Sequence, residues 1–380
     1  MRNMACKYRI YPDREQQVLF GKTFGCCRFV YNQMLSEKKA AYEKGEKIPQ
    51  VTPARYKSEY DWLKEVDSLA LANVQLHLEA AFRRYFDHTA NCFPKFKSKH
   101  GSRQSYTTNM VNGNIRIEGN RLRLPKAGKI KIRLHREVPR DWELKSVTIS
   151  REASGEYYAS ILYEEPSSVL SKAKPGSENQ TTGAAKRETG EVKILGIDYA
   201  MHGLAVFSDG TSADYPGYYR KGQEKLAREQ RKLSHCEKGS RNYEKQRRRV
   251  AKCHRKIRNQ RNDYQHKLSC KIADWYDAVA VEDIDMKAMS GSLNFGKSVM
   301  DNGFGAFRDK LAYKLERQGK RLIKVDRFYP SSKRCSCCGQ VKNELRLDER
   351  IYICRCGMRM DRDVNAAINI REEGRRLLGV

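Results

Sequence analysis

Three acidic residues, each at the edge of a separate apolar segment, are the first candidates for chemistry. Val192-Lys-Ile-Leu-Gly-Ile-Asp198 is a buried-strand run that ends on a carboxylate, and Ala278-Val-Ala-Val-Glu282 repeats the pattern. Near the end of the chain, Asp361-Arg-Asp363 opens a helical segment running through Ile370. A carboxylate placed where a strand leaves a core is costly unless it is hydrated or metal-bound. Three of them from separate segments can converge on two Mg²⁺ ions. One ion activates water, and both steady the attacking and leaving oxygens of a phosphodiester. Mg²⁺ needs only a few carboxylates besides water or phosphate oxygens, so no histidine is required. None of the eight histidines lies beyond His266, which gives a Ser/His or Cys/His arrangement little support around the third acid. Singly, Asp198 could close a turn, Glu282 could be a surface strand end, and Asp361 or Asp363 could cap a helix. Their joint placement favours a nuclease.

Cysteines form the second constellation. Cys335-Ser-Cys-Cys338-Gly339 precedes Cys354-Arg-Cys356-Gly357. A glycine after each cysteine group frees backbone N–H groups to face thiolates, and four thiolates suit tetrahedral Zn²⁺. Cys335 and Cys338 have the usual two-residue gap. Cys354 and Cys356 have only one residue between them, so Cys337 is a possible substitute ligand. The expected role is structural, holding the excursion from a strand at Val325 to the helix that carries Asp363. Five of the twelve cysteines crowd into this stretch and the rest are scattered. That distribution fits reduced thiols and one metal site, hence a cytosolic or nuclear protein. No signal peptide is visible and no apolar run is long enough to span a membrane.

The elements that must position these groups fall into two parts. Residues 1–12 read as a strand stopped by Pro12. A helix follows with Phe20, Phe24, Cys27, Tyr31 and Met34 or Leu35 on one face. A second helix starts at Asp67 as N-cap and ends before Pro94, with Leu71, Val74, Leu78, Ala81 and Tyr85 as its stripe. Residues 105–165 alternate basic and apolar residues. In Lys129-Ile-Lys-Ile-Arg-Leu134, Ile130, Ile132 and Leu134 share one face, and Lys129, Lys131 and Arg133 the other. Ile115-Arg-Ile117 and Arg121-Leu-Arg-Leu124 repeat this, and strands around 147–149 and 157–163 follow. The basic face suits phosphates. Residues 166–191, rich in Pro, Ser, Lys, Gly, Thr and Glu, read as a linker. Beyond it, Leu204-Ala-Val-Phe207 and Leu322-Ile-Lys-Val325 read as further strands. Residues 221–270 read as a cationic helix with one apolar seam, Tyr243, Val250, Ile257 and Tyr264, suited to tracking a duplex backbone. Lys plus Arg number 75 against 46 Asp plus Glu, a net charge of +29. Charge of that size points to a polyanionic partner.

Together these residues resemble the TnpB family of transposon-encoded nucleases, the presumed ancestors of type V CRISPR effectors. The resemblance runs along nearly the whole chain. It rests on Lys22-Thr-Phe-Gly-Cys-Cys-Arg-Phe-Val-Tyr-Asn-Gln33, Gly196-Ile-Asp198, Val281-Glu-Asp-Ile284, Phe328-Tyr-Pro-Ser-Ser-Lys-Arg-Cys335 and Cys356-Gly-Met-Arg-Met-Asp-Arg-Asp363-Val-Asn-Ala-Ala-Ile-Asn-Ile370. It implies an α/β multidomain fold. An oligonucleotide-binding β-barrel, the wedge, takes 1–12 and 105–165, with a helical recognition lobe at 13–104 inserted. After the linker, a RuvC or RNase H-like nuclease domain takes 192–329 and 359–380, with a zinc ribbon inserted at 330–358. It further implies RNA-guided DNA cleavage associated with transposition, with guide RNA and target DNA as partners, Mg²⁺ as the catalytic and Zn²⁺ as the structural metal, and a prokaryotic cytosolic setting. The implied catalytic, Mg²⁺-binding acids are Asp198, Glu282 and Asp363. The second acid of Asp-Arg-Asp is chosen because related nucleases keep an Asp directly before the x-Asn-Ala or x-Asn-Gly step, which leaves Asp361 as N-cap. The implied zinc ligands are Cys335, Cys338, Cys354 and Cys356. Other readings are a compact CRISPR effector using a CRISPR RNA, a guide-directed DNA-binding regulator without cleavage, and a DNA-joining transposase. The three intact acids speak against the regulator. The barrel and recognition helices favour RNA guidance over strand joining.

Overall fold

The structure is a computed structural model that describes residues 3–380 except 88, 90–91, 100–103, 166–191, 202, 292–295 and 347. The chain divides into two compact units, 1–181 and 182–380. The linker expected at 166–191 lies outside the described residues.

In the first unit β1 (Asn3–Tyr11) leads into α1 (Arg14–Glu43). Asp13 and Gln16 close a capping box at the start of that helix, satisfying amides that its first turn would leave open. Its expected stripe from Phe20 to Leu35 is buried. A short helix, α2 (Pro53–Glu59), comes next, and then α3 (Ser68–Phe86), capped by the Asp67 side chain on the Leu69 amide. Leu71, Val74 and Leu78 are buried as expected, but Phe82 continues the stripe in place of Ala81 and Tyr85. The helix also stops at Phe86, short of Pro94.

Six more strands follow: β2 (Gln104–Asn109), β3 (Arg116–Glu118), β4 (Arg121–Leu124), β5 (Gly128–Arg133), β6 (Glu143–Arg151) and β7 (Tyr157–Glu164). With β1 they make one antiparallel sheet in the order β2-β6-β7-β1-β5-β4-β3. Period-two alternation holds: Leu122, Leu124, Ile130 and Ile132 are buried in one core with α1 and α3. Leu134 departs from it. It lies one residue past the end of β5 and is exposed.

The second unit is built on a four-stranded sheet, β11-β10-β8-β9. Its strands are β8 (Ile194–Ala200), β9 (Leu204–Phe207), β10 (Ala278–Glu282) and β11 (Arg321–Val325). β10 runs parallel to β8 and β11, and β9 is antiparallel to β8. Leu195, Ile197, Val279 and Val281 point to one face, where α5 (Arg241–Trp275) and α8 (Phe304–Arg317) cover them. The alternate residues therefore point to the opposite face, which α9 (Arg362–Leu378) covers.

The expected single cationic helix over 221–270 is two helices. α4 (Tyr218–Ser234) turns back at 235–240, where Gly239 takes φ +89, and α5 returns. Two residues of the seam, Ile257 and Tyr264, pack inward rather than facing outward. A Cβ at Gly222 would lie 2.9 Å from Ile257, and Tyr264 packs edge-on against Tyr215 and Tyr218. Two short helices, α6 (Met286–Gly291) and α7 (Gly296–Asn302), link β10 to α8. A two-stranded ribbon, β12 (Ile351–Ile353) with β13 (Arg359–Asp361), precedes α9.

Candidate active site

Asp198 and Glu282 are brought together by register. Gly196 pairs with Ala280 and Ile197 with Val281 across the parallel β8–β10 ladder. Continued by one residue, that register sets Glu282 beside Asp198 on the α9 face. Asp198 is two residues inside β8 rather than at its end as the sequence suggested, and Glu282 is the last residue of β10.

Asp363 arrives on α9, which can lie this close only because the sheet beneath it is nearly bare. A Cβ at Gly196 would sit 2.0 Å from the Ala367 carbonyl, and one on Gly374 would sit 2.5 Å from the Ala280 Cβ. Small residues two places before each strand acid thus admit the helix. Ala280, Val325 and Ile370 form the apolar seal beneath it. Asp361 caps α9, its Oδ1 accepting from the amides of Asp363 at 2.8 Å and Val364 at 3.1 Å. Its carboxylate is thereby engaged, and the acid of this segment whose charge raises Asp198 is Asp363.

The arrangement has an electrostatic consequence. Burial pushes the Asp198 carboxyl well above the usual carboxylate range. The charges of Asp363 and Glu282 push it the same way, while Arg362 and the Tyr199 amide pull it back. Burial raises Glu282 as well. A cluster of partly desolvated like charges is a strong attractor for a cation.

Beside this cluster stand the thiols. Sγ atoms of Cys335, Cys338, Cys354 and Cys356 all lie within 4.8 Å of one another, and among the described residues no other His, Cys, Asp or Glu group is gathered in this way. Cys335 and Cys356 are 3.7 Å apart, and Cys338 and Cys354 3.6 Å. A tetrahedron with Zn–S bonds of about 2.3 Å has edges of about 3.8 Å, so the four thiols fit zinc. Cys337 is exposed and outside the group. Gly339 at φ +78 and Gly357 at φ +90 take the left-handed turns that aim amides at sulfur. Burial opposes ionisation of Cys335, but the amides of Cys338 and Cys337 and the neighbouring thiols outweigh it and bring its thiol down to about 7.

Sequence reasoning missed what joins the two centres. Asn365 and Asn369 are buried on α9 and face the cysteine loop. Asn365 donates to the Arg334 carbonyl at 2.7 Å and accepts from the Ser336 amide at 3.0 Å. Asn369 donates to the carbonyls of Ser331 at 2.8 Å and Arg334 at 2.6 Å. The signal was available, since two asparagines four apart on a helix share a face.

Residues 160–293 match the OrfB_IS605 family, described as "Probable transposase". Residues 304–370 match the "Cas12f1-like, TNB domain", and 1–47 a "Helix-turn-helix domain" of OrfB_IS605. In this chain the described part of 1–47 is β1 and the one long helix α1. A "Putative RNA-guided DNA endonuclease" of Streptomyces pristinaespiralis is 33% identical over 97% of this chain and 89% of its own length. The "Putative RNA-guided DNA endonuclease InsQ" of Escherichia coli (strain K12) is 31% identical over 99% of this chain and 94% of its own. In fold, the chain is similar to Cas12f1 from the cryo-EM structure of its sgRNA–target DNA complex. The TM-score is 0.56 at 13% identity, over 97% of this chain and 98% of that one.

Proposed function

The chain belongs to the IS605 OrfB (TnpB) family, and from that premise we propose that it is an RNA-guided DNA endonuclease linked to transposition. The observation that carries the chemistry is the meeting of Asp198, Glu282 and Asp363 from two adjacent strands and one helix. We read these as the catalytic acids. Their charge and oxygen-only donor set fit Mg²⁺, which when bound supplies transition-state charge stabilisation and an activated water. The residues do the rest. The two strand acids stand in fixed register, and the Asp361 cap holds the first turn of α9, from which the charge of Asp363 acts on Asp198. Packing of α9 on Gly196 and Ala280, with its own Gly374 against Ala280, closes the space behind the carboxylates.

The four cysteines are read as a structural Zn²⁺ site. The seven-stranded sheet is read as the wedge and α1–α3 as the recognition lobe. Guide RNA and target DNA are the proposed partners, as the names of the full-length relatives suggest. The CRISPR-effector reading has less behind it, because both of those relatives match nearly end to end above 30% identity. Cleavage would take place in the prokaryotic cytosol.

Sequencing of RNA copurified with the chain tests the guidance. One discrete RNA species, whose target-pairing segment can be exchanged to redirect cutting, is the expected result. Cutting that ignores the RNA sequence would overturn it.

A further inference from the structure

Arg362 stands at the first position of α9, between the capping Asp361 and Asp363. A cation in the first turn of a helix faces the positive end of the helix dipole, so something else must hold it there. Two contacts with the cysteine module do so. Its backbone amide donates to the Arg350 carbonyl at 2.9 Å, and its Nη1 donates to the Arg346 carbonyl at 3.1 Å. Its Nε lies 3.6 Å from Asp363 Oδ1, and its side chain is only 15% exposed. The guanidinium fork is therefore fixed with one arm on the module and the other edge on the third acid.

We propose that Arg362 is the resident counter-cation of the three-carboxylate site, held in place by the cysteine module, and that it opposes the entering metal electrostatically. The proposal rests on reading the acids as a Mg²⁺ site. Three carboxylates, one of them strongly desolvated, repel one another when no metal is bound. Arg362 offsets that repulsion, and its charge also acts on Asp198. A divalent ion would bring the same compensation and meet Arg362 as a like charge. Arg362 is thus a positioning residue that keeps the site folded without metal, at the cost of metal affinity.

The test uses the full chain with its copurified RNA and intact zinc content, and measures the rise in Tm as Mg²⁺ is added. The same titration on Asp198→Asn subtracts Mg²⁺ bound elsewhere. Arg362→Gln should be less stable than wild type without Mg²⁺, yet show a larger Mg²⁺-dependent rise and a several-fold lower half-saturating Mg²⁺ concentration. Arg362→Lys, which keeps the charge, should respond to Mg²⁺ as wild type does. A purely structural arginine would lower Tm in Arg362→Gln without changing the Mg²⁺ response, and that result overturns the proposal. A strengthened response in Arg362→Lys also overturns it, and this arm stands even if Arg362→Gln fails to fold. A wild type whose response equals that of Asp198→Asn would instead remove the metal reading itself.

Discussion

Asp198 is stabilised by the fold in its protonated form and needed by the proposed chemistry in its ionised form. Its folded-state pKa is raised, chiefly by burial, so the native state holds a proton that the unfolded chain releases. For such a group, stability falls as pH rises from the ordinary value of 3.8 toward the raised one. Above the ordinary value, and so at neutral pH, the metal-free fold therefore carries a cost at Asp198 that the unfolded chain does not. Asp198→Asn should raise Tm in the absence of metal at neutral pH and lose that advantage in acid; thermal melts across pH would show it. The same variant should lower cleavage by roughly a thousandfold, as loss of several kcal/mol of transition-state stabilisation implies. The strand settings of Asp198 and Glu282 were legible in sequence because each follows a short apolar run. Arg362 was not, because its setting depends on carbonyls of Arg346 and Arg350 that only the folded module brings to it.

Close packing between α9 and the sheet is the element-level device that gathers the acids. Gly196→Ala would drive a methyl group into the Ala367 carbonyl, and backbone cannot yield as a side-chain tip can. It should destabilise by about 3 kcal/mol or more, the upper range for overpacking. Denaturant unfolding measures that loss, and an unchanged midpoint would refute the close approach. Asn369→Ala leaves the buried Ser331 carbonyl without this donor and the Arg334 carbonyl with Asn365, and should cost about 1–3 kcal/mol. Zinc belongs at this scale too. Metal analysis should find about one Zn²⁺ per chain, as four thiolates imply. β9 and β10 were readable to the residue, because each is a short apolar run with a clear stop. The helical hairpin was not. Its seam repeats every seven residues with or without a turn at 235–240, and periodicity alone does not say whether the partner is the same chain. Leu134 fits the alternation but falls past the last ladder pair, a limit that pairing sets and pattern does not.

Across the whole molecule, the feature to explain is charge. Part of the net +29 stands where the fold sets like charges side by side. In the first unit Arg123 lies opposite both Arg116 and Lys129, Arg121 opposite Lys131, and Arg9 opposite Arg133. Like charges directly across a sheet are destabilising, and a bound polyanion removes the penalty. Binding of RNA and DNA should accordingly weaken by about a thousandfold or more between roughly 50 and 200 mM salt, the loss expected of six or more phosphate contacts. A flat salt response would count against the polyanion reading. The basic strands were readable because charge and period-two alternation are both properties of local sequence. The pairing of like charges was not, because it depends on strand order. The most direct test of the account as a whole is cleavage of matched target DNA by the purified RNA complex, wild type beside Asp198→Ala. The account predicts Mg²⁺-dependent cutting by the wild type, and undiminished binding of the same DNA without cutting by the variant. Cutting by Asp198→Ala at the wild-type rate would contradict it.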